Sequence, residues 1–366
     1  MVSREWLRGA NKLSGEVIVV GAGLIGLTTA VALVERGISV HLIGHARAGE
    51  ASPAAAGMLA PSVEKSSGPA HDFGIAARDR YPSYVEFLAE RTGIKVPLNR
   101  EGILQVALSV KGLKGLTKSA LATSRWLDPT QLRELEPALS HALGAVLNPD
   151  DGAVDNVILL EALRRLVAAS NRIHTLQDMV IAIDPSIDSC SVRTSSGATF
   201  GARRVVLASG AWAGQIPGAR YARAVGPARG QLVSYSMSPL RHVAYGPRGY
   251  VVPRGDRTIG GSTMEHVGFN ANTTTAGVKK VRAAAEEICP RLSASAQTKA
   301  WAGLRPVTPD MLPIIGADPE YASLLYACGH SRNGVLMAPL TGDLIADLVT
   351  GAPLSRDLSQ FRPTRF

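Results

Sequence analysis

The chain has 366 residues, 46% hydrophobic and 19% charged, which suits a globular protein of about two domains and excludes a disordered or coiled-coil chain. Its net charge of +9 makes a basic surface, but 5% aromatic content without a zinc pattern or an RNA-binding signature excludes nucleic acid as the expected partner. Three cysteines, Cys190, Cys289 and Cys328, stand at no metal-ligand spacing and read as reduced thiols in a cytoplasmic protein.

In chain order, residues 1–16 are polar and aperiodic and read as a loose tail. Val17 to Val34 is a run of eighteen uncharged residues, long enough to imitate a membrane span. Its glycines and threonines fit a buried strand and helix joined by a glycine turn instead, so no membrane insertion is expected. Glu16 to Gly21 is the strand, Leu24 to Arg36 the helix, with Gly37 as its natural stop, and Ile38 to Ile43 a second strand. This β-α-β order belongs inside a parallel sheet. Arg47 to Pro61 is a loop of small residues. Tyr81 to Arg91 reads as a helix, and Asp128-Pro129 as the cap and first turn of another. Val157 to Ala169 is helical, Ile173 to Phe200 alternates like strands and hairpins, and Val205 to Ala208 is a further buried strand ending at Ser209-Gly210-Ala211. Strand-rich sequence follows from Gln231 to Gly261, then a helix from Val278 to Ile288, a last strand from Leu324 to Ala327, a glycine loop, and a helix from Met337 to Val349.

The parallel-sheet pieces lie at the start, near residue 205 and at the end, with antiparallel-looking pieces between. The expected fold is mixed, α/β and α+β: a Rossmann-like parallel sheet interleaved with an antiparallel-sheet substrate domain. The expected boundaries are 17–80, 145–225 and 300–366 for the nucleotide domain, and 81–144 and 226–299 for the substrate domain. Nine arginines and one acid between Arg203 and Arg257 would favour an anionic ligand near that stretch.

Gly21-x-Gly23-x-x-Gly26 follows a strand and opens a helix. Gly21 allows the tight turn, Gly23 the approach of a pyrophosphate, and Gly26 close helix–strand packing. The helix N-terminus then offers N–H groups and a positive dipole end to phosphate, with Leu24 and Ile25 in its first turn. The acid expected about 20 residues on, for the adenosine ribose, is missing: Gly44 holds that place, with His45 and Arg47 following. Another group must serve the ribose, or Arg47 must hold a 2′-phosphate, which would mean NADP. An acid introduced at Gly44 is expected to tighten FAD if the backbone tolerates a side chain there.

Three further segments narrow the reading. The Ala54 to Pro61 loop (AAAGMLAP), VVLASGAWAG at 205–214, and WAGLRPVTPDMLPIIG at 301–316 followed by YACGHSRNGVLMAP at 326–339 together resemble the D-amino-acid oxidase superfamily of FAD-dependent oxidoreductases. GSTMEHVGF at 261–269 and GYVVPR at 249–254 are most similar to its bacterial glycine-oxidase branch of the thiamine pathway. The resemblance runs from Val17 nearly to the end.

That resemblance implies FAD lying between the two domains. It implies that Ala56, Gly57 and Met58 line the isoalloxazine, that Val180 contacts the adenine side, and that His330, Ser331, Arg332, Asn333, Gly334, Val335 and Leu336 hold the flavin ring. Ser52 and Gly210 join the expected cofactor set. It places Arg305 under the substrate carboxylate, with Tyr250 adding a hydroxyl, Arg332 bordering the site and Met264 lining it. Arginine suits the task because its planar fork makes two parallel charged hydrogen bonds. The alternatives are a buried ion pair for Arg305, core packing for Tyr250 and Met264, and a purely structural Arg332.

The implied activity is oxidative deamination of glycine and other small amino acids, with dioxygen as acceptor and hydrogen peroxide as product. A general base is not required, so His330 and His266 are not expected to catalyse. Sarcosine oxidases tether flavin through a cysteine near the segment that here reads GLRPVTPD; with none there, noncovalent FAD is expected. The competing readings are a D-amino-acid dehydrogenase with a quinone acceptor, a sarcosine-oxidase-like amine oxidase, and a NADP-binding module without turnover. A homo-oligomer is left open.

Overall fold

A computed structural model describes residues 13–63, 68–119 and 121–366. Contacts divide the chain into two units. The first takes the described residues up to Glu50, then Leu160–Pro227 and Arg305–Phe366; the second takes Ala51–Leu159 and Ala228–Leu304.

The first unit is built on an eight-stranded sheet. Its strand β1 (Leu13–Val20) lies parallel to β2 (Val40–Gly44) on one side and to Thr199–Leu207 on the other. Ile173–Gln177 extends the sheet in parallel beyond β2, and Leu324–Cys328 pairs in parallel with Thr199–Leu207. A hairpin of Val180–Pro185 and Cys190–Thr194, and the strand Ile314–Ala317, add antiparallel edges. The central strands are buried on both faces, which explains their near-continuous β-branched and aliphatic sequence. Helix α1 (Leu24–Glu35) packs against the last long helix, Gly334–Thr350, and the buried Thr28 hydroxyl donates to Ala338 O at 2.9 Å. β1 begins at Leu13, so residues 13–16 belong to the sheet and not to a tail; the rest of the expected tail lies outside the described residues.

Another eight-stranded sheet, mainly antiparallel and in the second unit except for residues 226–227 and 305–307, runs from Gln297–Val307 through Gly226–Tyr235, Arg257–Gly261, Gly249–Arg254 and Val243–Gly246 to Ile103–Val106, Ala145–Asn148 and Arg125–Leu127. A small sheet pairs Met58–Leu59 and Leu98–Asn99 with Gly152–Val154. The described residues of 51–80, and 145–159, expected with the nucleotide domain, therefore pack in this unit. The cause is local: Met58 pairs with Ala153, and Asn156 donates to Ser52 O at 2.7 Å.

Most expected elements form. The Asp128 cap becomes a full capping box with Gln131 at the head of Pro129–Leu135, and Gly93 ends Tyr81–Thr92 in the left-handed conformation. The final helix starts at Gly334, three residues before the expected Met337, because Asn333 already serves as its cap residue. The loop at 47–61 contains a short helix, Ala51–Ala54. The helices Pro69–Asp79 and Val110–Ser119 and several short strands form where no element is expected from the sequence.

Candidate active site

In the first unit, the glycine fingerprint forms the turn between β1 and α1. Gly21 has φ +112°, donates its N–H to Ile43 O at 2.8 Å, and leaves no room for a Cβ against Ala208 O. A Cβ on Gly26 would run into Gly21 O, so this glycine is required for helix–strand packing. Gly23 is the cap residue of α1 with no side-chain hydrogen bond, and no acid stands in the first turn with Leu24 and Ile25. An uncapped, acid-free helix N-terminus suits an anion. Beside it, the Ser209 hydroxyl is buried without a hydrogen-bond partner, and its Cα would lie 2.9 Å from a Cβ on Gly21. A buried orphan hydroxyl at this turn fits a polar ligand. Gly210 follows with φ +58° and open space where a Cβ would stand.

Gly44 ends β2, as its place in the sequence predicts. A Cβ there would stand 2.6 Å from Ala22 Cβ and 2.9 Å from Ala22 N. The glycine turn itself occupies the space, so the position does not accept the introduced acid that sequence reasoning favoured. His45 is exposed, and Arg47 lies with its guanidinium 5.0 Å from the Trp212 ring centre while its N–H donates to Glu50 Oε1 at 2.9 Å. Val180 is buried at the start of its strand, opposite Thr194.

The loop before the final helix is shaped by its backbone. Gly329 and Ser331 both have positive φ, +72° and +49°. Ser331 N–H donates to Pro306 O at 2.8 Å, which fastens the loop to the strand that carries Arg305. The expected loop residues Gly334, Val335 and Leu336 are the first turn of the helix, again without a side-chain cap or an acid. Asn333 N–H donates to His330 O at 2.9 Å. His330 is buried, its Nε2 3.1 Å from Thr341 Oγ1, and burial lowers its pKa to about 3, so the ring is neutral near pH 7. Arg332 is exposed and Arg305 half-buried.

In the second unit, Tyr250 is 9% exposed, within an apolar cluster with Ile103, Leu232 and Ile259. Its ring stacks on Tyr245 with centres 6.1 Å apart, and a Cβ on Gly261 would lie 2.5 Å from its hydroxyl. Met264 is 44% exposed between two pinned neighbours. Thr263 Oγ1 accepts from Gln231 N at 2.9 Å, and Glu265 accepts from Arg229 Nε at 2.7 Å. Ala56 is buried and Met58 half-buried, and Gly57 has φ +78° with Val154 O where a Cβ would stand. Sequence reasoning missed Ser209, Trp212 and Arg254, although all three lie inside or beside motifs it used. Arg254 donates to Ala56 O at 2.8 Å, and burial lowers its pKa while Asp155 opposes the shift.

The parallel sheet, the glycine turn and the uncapped helix define a dinucleotide-binding protein. A family profile described as FAD dependent oxidoreductase matches residues 16–348. A glycine oxidase of Geobacillus kaustophilus is 34% identical over 96% of this chain and 97% of its own length. The bifunctional protein ThiO/ThiG of Synechocystis is 35% identical over 96% of this chain, which spans 54% of that relative, about half its length. A crystal structure of the Geobacillus glycine oxidase superposes with a TM-score of 0.88 at 33% identity, covering 96% of this chain and 99% of that one. The chain belongs to the FAD dependent oxidoreductase family. Its cofactor is FAD, and the phosphate-facing glycines, the α1 N-terminus and Ser209 fit the nucleotide half of that group.

Proposed function

We propose that this protein oxidises glycine and other small amino acids with dioxygen and water, giving the 2-oxo acid, ammonia and hydrogen peroxide. Arg305 is the observation that carries the reading. It stands one residue before Pro306, whose carbonyl is fastened to the loop that begins the helix Gly334–Thr350. An anion-binding fork is thereby tied to a helix N-terminus suited to the electron-rich edge of a flavin.

FAD, when bound, would supply a two-electron acceptor for the α-carbon hydride, with dioxygen as the terminal oxidant. Arg305 holds the substrate carboxylate through two parallel hydrogen bonds and Tyr250 adds a hydroxyl, so the α-carbon is fixed in a near-attack geometry. The first-turn amides of Gly334, Val335 and Leu336 offer fixed dipoles to developing negative charge. His330, neutral and bonded to Thr341, shapes the loop and adds no charge to it. Met264 limits the space for a substrate side chain, and Arg332 borders the site. The amine is taken up neutral, so no side chain is assigned as general base. The flavin is held without a covalent bond; the imine formed first is hydrolysed by water to the 2-oxo acid and ammonia, or feeds thiazole synthesis for thiamine.

The test is oxygen uptake by the purified protein with glycine, sarcosine and D-alanine, with peroxide measured alongside. Peroxide formed in step with oxygen consumed, with glycine among the good substrates, is expected. Turnover only with a quinone would establish a dehydrogenase instead, and preference for sarcosine alone a secondary-amine oxidase.

A further inference from the structure

The segment Ala51 to Gly57 is made of alanine, serine, proline and glycine. Such residues let a cofactor approach closely, but they bring little side-chain volume with which to fix their own backbone. Side chains elsewhere in the same unit fix it. Asn156 Nδ2 donates to Ser52 O at 2.7 Å, Trp301 Nε1 to Ala54 O at 2.9 Å, and Arg254 Nη2 to Ala56 O at 2.8 Å. Three alternate carbonyls are thus each held by one side chain, drawn from three distant parts of the sequence. Gly57 O accepts from Val154 N at 2.8 Å and continues the series.

Arg254 reaches the most acceptors of the three. Its side chain is 12% exposed, and besides Ala56 O it reaches Val154 O at 3.3 Å, Asn156 Oδ1 at 3.0 Å and Asp155 Oδ1 at 3.4 Å. It joins the small-residue turn to the 154–156 segment in one planar fork. A lysine ammonium is a single compact donor group and cannot span those four acceptors. Carbonyls left buried without donors would favour another backbone conformation.

We propose that Arg254, supported by Asn156 and Trp301, is a positioning residue that presets the turn Ala56–Met58 for the flavin. This rests on the reading that the turn lines the cofactor. Arg254 holds the Ala56 carbonyl and the 154–156 segment, and it acts on the flavin through the backbone it fixes.

The experiment compares wild type, Arg254→Lys and Trp301→Phe as apoproteins, then reconstituted with FAD. The apoprotein melting temperature, the FAD dissociation constant from flavin fluorescence, the visible spectrum and the midpoint potential are read. Arg254→Lys is expected to weaken FAD by about tenfold or more and to alter the bound-flavin spectrum and potential, while kcat falls more than KM rises. Trp301→Phe, which keeps an aromatic ring but loses the donor to Ala54 O, is expected to weaken FAD a few-fold in the same direction. Variants with lowered melting temperature but wild-type FAD affinity, spectrum and potential would overturn the proposal, because the arginine would then be a fold contact alone. If Arg254→Lys does not fold, Trp301→Phe decides by the same criteria. Wild-type apoprotein that fails to take up FAD would sink the flavin reading itself, a different result from wild-type binding that the variants leave unchanged.

Discussion

Arg305 is where substrate chemistry concentrates. An α-amino acid offers one fixed anion, and removing its fork leaves that carboxylate unpaired. Arg305→Ala is expected to lower kcat/KM for glycine by on the order of a thousandfold while leaving FAD content near normal. Arg305→Lys keeps the charge, loses the two-pronged geometry and should be impaired as well. Simple amines without a carboxylate should be poor substrates of the wild type and much less affected by the change. Steady-state kinetics on both substrate types provide the check, and equal losses on both would make the residue structural. Gly44 shows the opposite kind of position, where an absence matters. The missing ribose acid is plain in the sequence, but its cause is not, because Ala22 fills the space only once β1 and β2 lie side by side. Gly44→Glu is therefore expected to destabilise the protein, by about 1–3 kcal/mol for the forced overlap, and to weaken FAD. Thermal melting and FAD titration of the variant measure both effects; tighter FAD at unchanged stability would show that the turn yields.

At the scale of elements, strand–turn–helix patterning was legible where period and punctuation agree. The β1–α1–β2 unit and the Asp128 cap follow from apolar runs, glycines and a cap residue, and they form where those signals stand. Strands of two to four residues such as Met58–Leu59 and Ile103–Val106 did not show, since pairing partners far along the chain create them. The fastening of the small-residue turn by Arg254 and Trp301 was hidden for the same reason. The 329–336 loop carries a pH consequence. Burial holds His330 neutral down to about pH 3, whereas in the unfolded chain it takes a proton near its ordinary 6.5. A depressed histidine pKa means that the unfolded state binds more protons, so stability from this residue is complete above about pH 6.5 and falls as pH drops toward 3. His330→Asn is expected to flatten the decline in melting temperature between about pH 7 and about pH 5. A decline as steep as in the wild type would assign that limb to other groups.

Across the whole molecule, alternation of parallel and antiparallel sequence blocks revealed interleaving, and the two contact units alternate along the chain in that way. Their borders were harder to read, because the strands Met58–Leu59 and Gly152–Val154 are placed by a three-stranded sheet of very short strands. The arginine-rich stretch from Arg203 to Arg257 suggested a common field for an anion. Folded, five of its nine arginines (Arg220, Arg229, Arg248, Arg254 and Arg257) meet carboxylates, four of them outside the stretch, so the run does not act as one patch. Among the described residues no helix is long and apolar enough to cross a membrane; the apolar run at 17–34 is β1 and α1, as its glycines predicted. The three cysteines are buried and unpaired, none within the GLRPVTPD segment, and acid precipitation is expected to release all the FAD into the supernatant. Flavin left on the precipitated protein would refute noncovalent binding.

The central claim is that bound flavin accepts electrons from a small amino acid seated on Arg305. It is tested most directly by the visible spectrum of the purified holoprotein before and after glycine is added without oxygen. Bleaching of the oxidised flavin bands by glycine, recovery on admitting air with peroxide released, and no rapid bleaching in Arg305→Ala are the predicted results. An oxidised spectrum that glycine leaves unchanged in the FAD-loaded wild type would contradict the account.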